Sequence, residues 1–418
     1  MERKFFQTQS PIALDDFLKK PNYEAVLEVH NFLTLKECII TRSKFTVLIG
    51  PQAEGKSIIA KLFYFCNYCI QYYQLAKNTE TLKNEMTEFF SDIFPNILWK
   101  NKIFSITYSI DSYHIFIKNS KKFSIEFSDV LDRDMNITIA FYQRFIKKKN
   151  LDKENDFWIL YDEIPYPMKF RELFITDKRQ MFFLKDLNKF YLLKLEEKIY
   201  HDFSLSLICF NSLISSEYYN KNLQKRDNIF IDNYERLLNG IFNNEGETLY
   251  IRNKANINVP IELTSSGQQE LSSLLMMLNT QDINNHDVYI EEPETHLFPT
   301  TQRDLIADLV AMTYRNNSTL FLTTHSPYIL SALNIHIAAS EVVGQTEDKV
   351  TAMQAIIPKD QWIPFSDIQC YVITGGKACN IMDKEAMMID FSIIDACADN
   401  LTEQLNSVLH VLNGKSHE

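Results

Sequence analysis

The chain has 418 residues, 45% of them hydrophobic, which is enough for a sizeable core and, at about 150 residues per domain, for roughly three units or for one or two larger ones. Gly (9) and Pro (12) are scarce, which excludes a collagen-like, low-complexity or linker-dominated chain. The net charge of −11 argues against a protein that coats nucleic acid through its overall field, although a local basic groove stays open.

Residues 23 to 50 read as strands: Tyr23 to Val29 alternates, and Lys44 to Ile49 is apolar on both faces, as in a buried central strand. Helical pattern runs from Ser57 to about Lys77. Residues 80 to 245 are rich in Phe, Tyr, Lys and Asn; Ile103–Ile110 and Tyr113–Ile117 predict hairpin strands, and Asp186–Tyr200 predicts a helix. From about 248 the α/β pattern returns. Leu271, Leu274, Leu275 and Leu278 recur at helical spacing, and Asp287–Ile290, Thr300–Asn316 and Ser318–Thr323 read as a parallel βαβ unit. A helix from Ala398 to Leu412 is expected near the end. The expected division is 1–75, a mixed α/β insertion over 76–245, and 246–418. The seven cysteines are odd in number and scattered, so a reducing cytoplasm is expected without a disulfide framework. No apolar run approaches ~18 residues and no signal-like segment follows Met1, so no membrane partner is expected.

Four motifs carry chemistry. Gly50, Pro51, Gln52, Ala53, Glu54, Gly55, Lys56 and Ser57 form a complete G-x-x-x-x-G-K-[ST] between an expected strand and an expected helix. Backbone N–H groups of such a loop curl around phosphates, Lys56 reaches the β- and γ-phosphates of ATP, and Ser57 takes Mg²⁺. Glu291 and Glu292 end an apolar strand, where ligands bind in open α/β sheets. Glu291 is placed near Mg²⁺ and Glu292 as the base that polarises the attacking water. Ser265, Ser266, Gly267 and Gln268 open a helix, either as an ordinary Ser cap or as a second anion site serving a nucleotide on another protomer. His325 follows a buried strand, either as a hydrogen-bond partner of the γ-phosphate or as a structural loop histidine.

The order of these motifs resembles ABC-class AAA ATPases of the overcoming-lysogenisation-defect and SMC-like branch. Leu263–Gln269 resembles the ABC signature, Ile290–Pro299 that branch's extended acidic motif, Thr324–Ser326 its switch histidine, and Leu27–Phe32 the strand that begins such heads. Leu173–Arg179 is similar to a degenerate internal segment of the group. The resemblance implies a P-loop NTPase fold of the ABC-head type. It also implies ATP and Mg²⁺ as ligands, catalytic Glu292, His325 and Lys56, and a homodimer or higher homo-oligomer that sandwiches ATP. The stretch after His325 has no Asp-x-Asp and is too short for the TOPRIM nuclease that many relatives carry. The chain thus resembles stand-alone ATPase subunits of anti-phage systems such as PARIS, Septu and some retrons, with a separately encoded nuclease or toxin as effector. Two other readings stand beside it: a DNA-repair or chromosome-maintenance ATPase that clamps DNA, and a nucleotide-dependent scaffold with little turnover. Arg144 and Lys147–Lys149 form the densest basic run, a solvated helix end or a nucleic-acid contact. Cys66 and Cys69 read as core, and Tyr371–Lys377 as a hairpin turn and not a second phosphate loop.

Overall fold

The computed structural model describes residues 24–72, 76–149, 172–175, 235–245, 248–280, 283–390, 392 and 402–409. Strands β1 (Ala25–Phe32), β2 (Leu35–Arg42) and β3 (Phe45–Ile49) lead into the phosphate loop and helix α1 (Lys56–Tyr72). Helix α2 (Thr79–Ile93), strands β4 (Phe104–Ile110), β5 (Tyr113–Asn119) and β6 (Phe123–Phe127), and helix α3 (Asp129–Lys149) follow. Strand β7 (Glu172–Ile175) precedes a small antiparallel sheet of β8 (Gly240–Glu245), β9 (Thr248–Asn253) and β10 (Asn258–Pro260). Then come α4 (Ser266–Thr280), β11 (Asp287–Glu291), α5 (Pro299–Arg315), β12 (Thr319–Thr324), α6 (Pro327–Ser340) and α7 (Glu347–Ile356). The hairpin of β13 (Ile368–Thr374) and β14 (Lys377–Asn380) and the short β15 (Met382–Asp383) and β16 (Met388–Ile389) complete the strands.

Eleven strands form one sheet in the order β6-β5-β4-β1-β2-β14-β13-β3-β12-β11-β7. From β7 to β13 the pairing is parallel, and from β6 to β2 it is antiparallel. The central parallel strands are covered on both faces: β3, β11 and β12 are buried at every position and apolar at their centres. The antiparallel strands β4 and β5 alternate buried with more exposed residues, as a half-covered sheet demands. One core packs α1 and α2 on one face, with Phe32, Phe63, Phe65 and Phe90 at its centre. The other packs α4, α5 and α6 on the opposite face. The expected stripe Leu271, Leu274, Leu275 and Leu278 faces this second core, and Cys66 and Cys69 lie in the first. The pairing of β4 with β1 joins residues from the 76–245 stretch directly to the main sheet. The helix expected over Asp186–Tyr200 and Arg179 lie outside the described residues; 402–409 are helical, within the expected Ala398–Leu412.

At the strand starts a buried polar network ties the two halves of the sheet together. Arg42 at the end of β2 pairs with Asp287 at the start of β11 and donates to the Thr319 hydroxyl of β12 at 2.7 Å. The Asn67 amide on α1 donates to Tyr289 Oη at 2.8 Å and to Asp287 at 3.3 Å, and accepts from the Tyr108 hydroxyl of β4. Burying an ion pair is tolerable when further hydrogen bonds surround it, and Thr319 and Asn67 supply such bonds here.

His336, on α6, is 4% exposed, and burial pushes its pKa down from 6.5 to about 4. The unfolded chain therefore takes up a proton near pH 6.5 and the folded chain only near pH 4. Stability falls as the pH drops through that window, by about 3 kcal/mol at about 1.4 kcal/mol per unit. Urea unfolding at pH 7 and pH 4 is expected to cost wild type about 3 kcal/mol more than His336→Leu. Equal losses would show that the ring protonates freely in the folded chain.

Candidate active site

Parallel pairing brings the carboxyl ends of β3, β11, β12 and β13 to one edge of the sheet. The register sets Ile49 opposite both Thr324 and Val372, and Thr323 opposite Glu291. The residues that follow, Gly50, Glu292 and His325, thus leave the sheet at the same level. The phosphate loop turns over this edge into α1. Gly55 has φ +104, and a Cβ there would lie 2.5 Å from Leu35 Cδ2, so the loop needs glycine for both backbone and space. The loop is walled by the β13–β14 turn, whose Gly376 N–H donates to Glu54 at 3.3 Å. Thr374–Lys377 is thus a hairpin turn beside the phosphate loop, as expected.

Lys56 opens α1, where the helix dipole adds positive charge, and is 5% exposed. Its Nζ donates to the carbonyls of Gly50 and Pro51, each at 2.8 Å, and lies 3.2 Å from His325 Nε2 and 3.3 Å from Nδ1. Burial lowers its pKa, opposed by the carboxylates of Glu292, Glu294 and Glu54. His325 Nε2 in turn meets Glu292 Oε1 at 2.8 Å. Lys56, His325 and Glu292, which stand far apart in sequence, thus form one contiguous cluster.

Glu291 is buried at 2% exposure, the last residue of β11. Glu292 continues the ladder by one bond, its N–H to Thr323 O at 2.9 Å, then turns the chain with φ +44. The turn closes with Thr295 N–H and Oγ1 on Glu292 O and Leu297 N–H on Glu294 O. Glu294 Oε1 accepts from both Thr324 Oγ1 and the His325 N–H at 2.7 Å. Ser326 caps α6, accepting from Tyr328 N–H at 3.2 Å and donating to Gln302 Oε1 at 2.6 Å. Ser57 is half-buried on the first turn of α1, and Pro51, Gln52 and Ala53 are exposed.

Ser265 caps α4 reciprocally: its Oγ accepts from Gln268 N–H at 3.2 Å, and Gln268 Oε1 accepts from Ser265 N–H at 3.3 Å. Gln268 also donates to Leu238 O at 2.8 Å, and Ser266 is exposed. Among the described residues no hydrogen bond joins Ser265, Ser266, Gly267 or Gln268 to the phosphate loop of the same chain. Gly267 abuts the acidic turn instead: a Cβ there would lie 2.6 Å from His296 O. The basic run Arg144 to Lys149 ends α3, with Arg144 and Lys147 exposed. Sequence reasoning missed Glu294 as a site residue. The available signal was a second carboxylate two positions after Glu292, on the same turn.

A phosphate loop between β3 and α1, an acidic end on β11 and a histidine end on β12, all on one edge, define an α/β P-loop NTPase fold of the ABC-head type. The chain matches over residues 45–331 the family described as "AAA domain, putative AbiEii toxin, Type IV TA system". It belongs to that family of AAA domains, the match covering more than half of its length. No curated protein matches the chain. Among solved structures it is similar to SMC head domains. One is the head bound to the C-winged helix domain of ScpA, at 14% identity and TM-score 0.41, covering 87% of this chain and 99% of that one. Another is the Smc head with an extended coiled coil bound to the C-terminal domain of ScpA, derived from Pyrococcus furiosus, at 13% identity, TM-score 0.43, and 90% and 99% coverage. A third is the SMC head of Thermotoga maritima, at 9% identity, TM-score 0.36, and 86% and 98% coverage.

Proposed function

We propose that this chain is an ATP-binding and hydrolysing ABC-type ATPase subunit whose ATP-dependent pairing controls a separately encoded nuclease or toxin in bacterial anti-phage defence. The observation that carries the ATPase reading is the contiguous cluster of Lys56, His325 and Glu292 at the mouth of the phosphate loop. The family description, which names a putative toxin and a toxin–antitoxin system, supports a toxin–antitoxin setting for the chain.

In this reading the N–H groups of residues 50–57 and the Lys56 ammonium bind the triphosphate, drawing Lys56 off the carbonyls it now holds. Glu292, on the strained turn, takes a proton from the attacking water, and His325 orients Glu292 and the γ-phosphate. Ser57 and Glu291 offer one hydroxyl and one carboxylate, the hard oxygen donors that Mg²⁺ takes together with substrate phosphates and water. Among the described residues no group of three or more His, Cys, Asp and Glu could hold a metal ion unaided, which fits an ion shared with the nucleotide. When bound, Mg²⁺ supplies charge neutralisation at the phosphates.

The head is built from 1–75 and 246–418, with 76–245 inserted and its strands β4–β6 attached through β1. Ser265 and Gly267 lie at a helix N-terminus with no hydrogen bond to its own phosphate loop among the described residues, which favours their service to a nucleotide held by a second copy. ATP then favours the paired state because only that state makes both sets of contacts. The pairing subunit is placed in the cytoplasm.

The test is the molar mass of Glu292→Gln protein by light scattering, with and without Mg²⁺-ATP. The mass is expected to grow with Mg²⁺-ATP, and Ser265→Arg added to the same protein is expected to block that growth. A mass that never changes, or growth that survives Ser265→Arg, rejects the sandwich.

A further inference from the structure

Two carboxylates on one turn grip the same histidine from two sides. Glu292 reaches the ring of His325, and Glu294 reaches its main chain. We propose that Glu294 is a positioning residue for hydrolysis, one that holds His325 between Glu292 and Lys56. The inference rests on the ATPase reading above.

A single oxygen of Glu294 takes two donors at 2.7 Å, the Thr324 hydroxyl and the His325 N–H. The Thr324 hydroxyl also accepts from Ser326 N–H at 2.9 Å, and Ser326 is tied to Gln302 on α5. His325 therefore stands between two anchored points, and one of them is Glu294. The anchor itself is rigid. Glu292 and His296 both lie in the left-handed region, at φ +44 and +59, and Thr295 and Leu297 close the turn with backbone bonds. The far end of the turn is wedged by the His296 carbonyl against Gly267. Glu294 Oε2, by contrast, is buried with no hydrogen-bond partner among the described residues. Desolvating that oxygen is a cost, so what this side chain contributes is the reach and placement of Oε1.

Reach and charge can be separated by two conservative variants. Glu294→Gln keeps the length and the acceptor oxygen but loses the charge. Glu294→Asp keeps the charge but withdraws the oxygen by one methylene. ATPase turnover is expected within about threefold of wild type for Gln and about 10- to 100-fold lower for Asp, with the ATP KM little changed in both. In a His325→Ala background the Asp change is expected to add nothing, since Glu294 acts through that histidine. Full turnover in Glu294→Asp, equal losses in Asp and Gln, or losses that multiply with His325→Ala would each overturn the proposal.

A readout independent of turnover is the His325 ring signal in nucleotide-free, ring-¹³C-histidine-labelled protein, identified by its loss in His325→Ala. It is expected to shift in Glu294→Asp and to hold in Glu294→Gln; an unmoved signal in Asp overturns the proposal. If wild type fails to hydrolyse ATP, the ATPase reading falls while this signal still decides whether Glu294 positions His325.

Discussion

Replacing Glu292 by Gln is expected to lower steady-state ATP turnover by about 10²- to 10⁴-fold, the usual worth of a positioned general base, while ATP still binds. The substitution is nearly isosteric, so the turn with its φ of +44 and the backbone bond to Thr323 survive. The amide keeps an oxygen 2.8 Å from His325 Nε2 but cannot accept a proton from water. Binding rests on the phosphate loop, and Glu292 stands on the separate turn that follows β11. Phosphate release measured beside nucleotide affinity checks both halves. Turnover at the wild-type rate would show that another group acts as base, and lost affinity would place Glu292 in binding instead of chemistry.

Lys56→Ala is expected to weaken ATP binding by at least about a hundredfold, or about 3 kcal/mol. The ammonium is already largely withdrawn from water, and it exchanges the Gly50 and Pro51 carbonyls for charge-assisted bonds to phosphate. It also offsets a field set by Glu292, Glu294 and Glu54, all of which act on it. Without it the three carboxylates repel the triphosphate through a site of low dielectric. Calorimetric titration with Mg²⁺-ATP checks the loss, and circular dichroism checks that the variant is folded. Unchanged affinity would overturn the phosphate-loop reading.

The parts legible in sequence were those set by local pattern. β3, β11 and β12 declare themselves as short continuous apolar runs because helices cover both faces, and α4 declares its buried stripe through Leu271, Leu274, Leu275 and Leu278. The phosphate loop is legible because its geometry needs glycine and lysine at fixed local offsets. Contacts between distant segments were not legible. Nothing local says that Glu294 will accept from the N–H of His325, or that Arg42 will pair with Asp287, because each contact exists only once the strand register is fixed. The reciprocal cap of Ser265 and Gln268 shows the converse: the local reading of an N-cap is realised in the single chain, and service to a second copy is a question for the paired state.

The hairpin of β13 and β14 sits between β2 and β3, although only Ser43 and Lys44 separate those two strands in the chain. The segment from β1 to β3 therefore leaves a gap in the sheet that residues 368–380 fill. Until they arrive, β3 has an open edge of unpaired N–H and C=O groups, and the phosphate loop lacks the wall formed by the Gly376 turn. Such an edge is a template for pairing with other chains, and closure over so long a separation is slow. The phosphate loop is therefore walled only after residues 368–380 have joined the sheet.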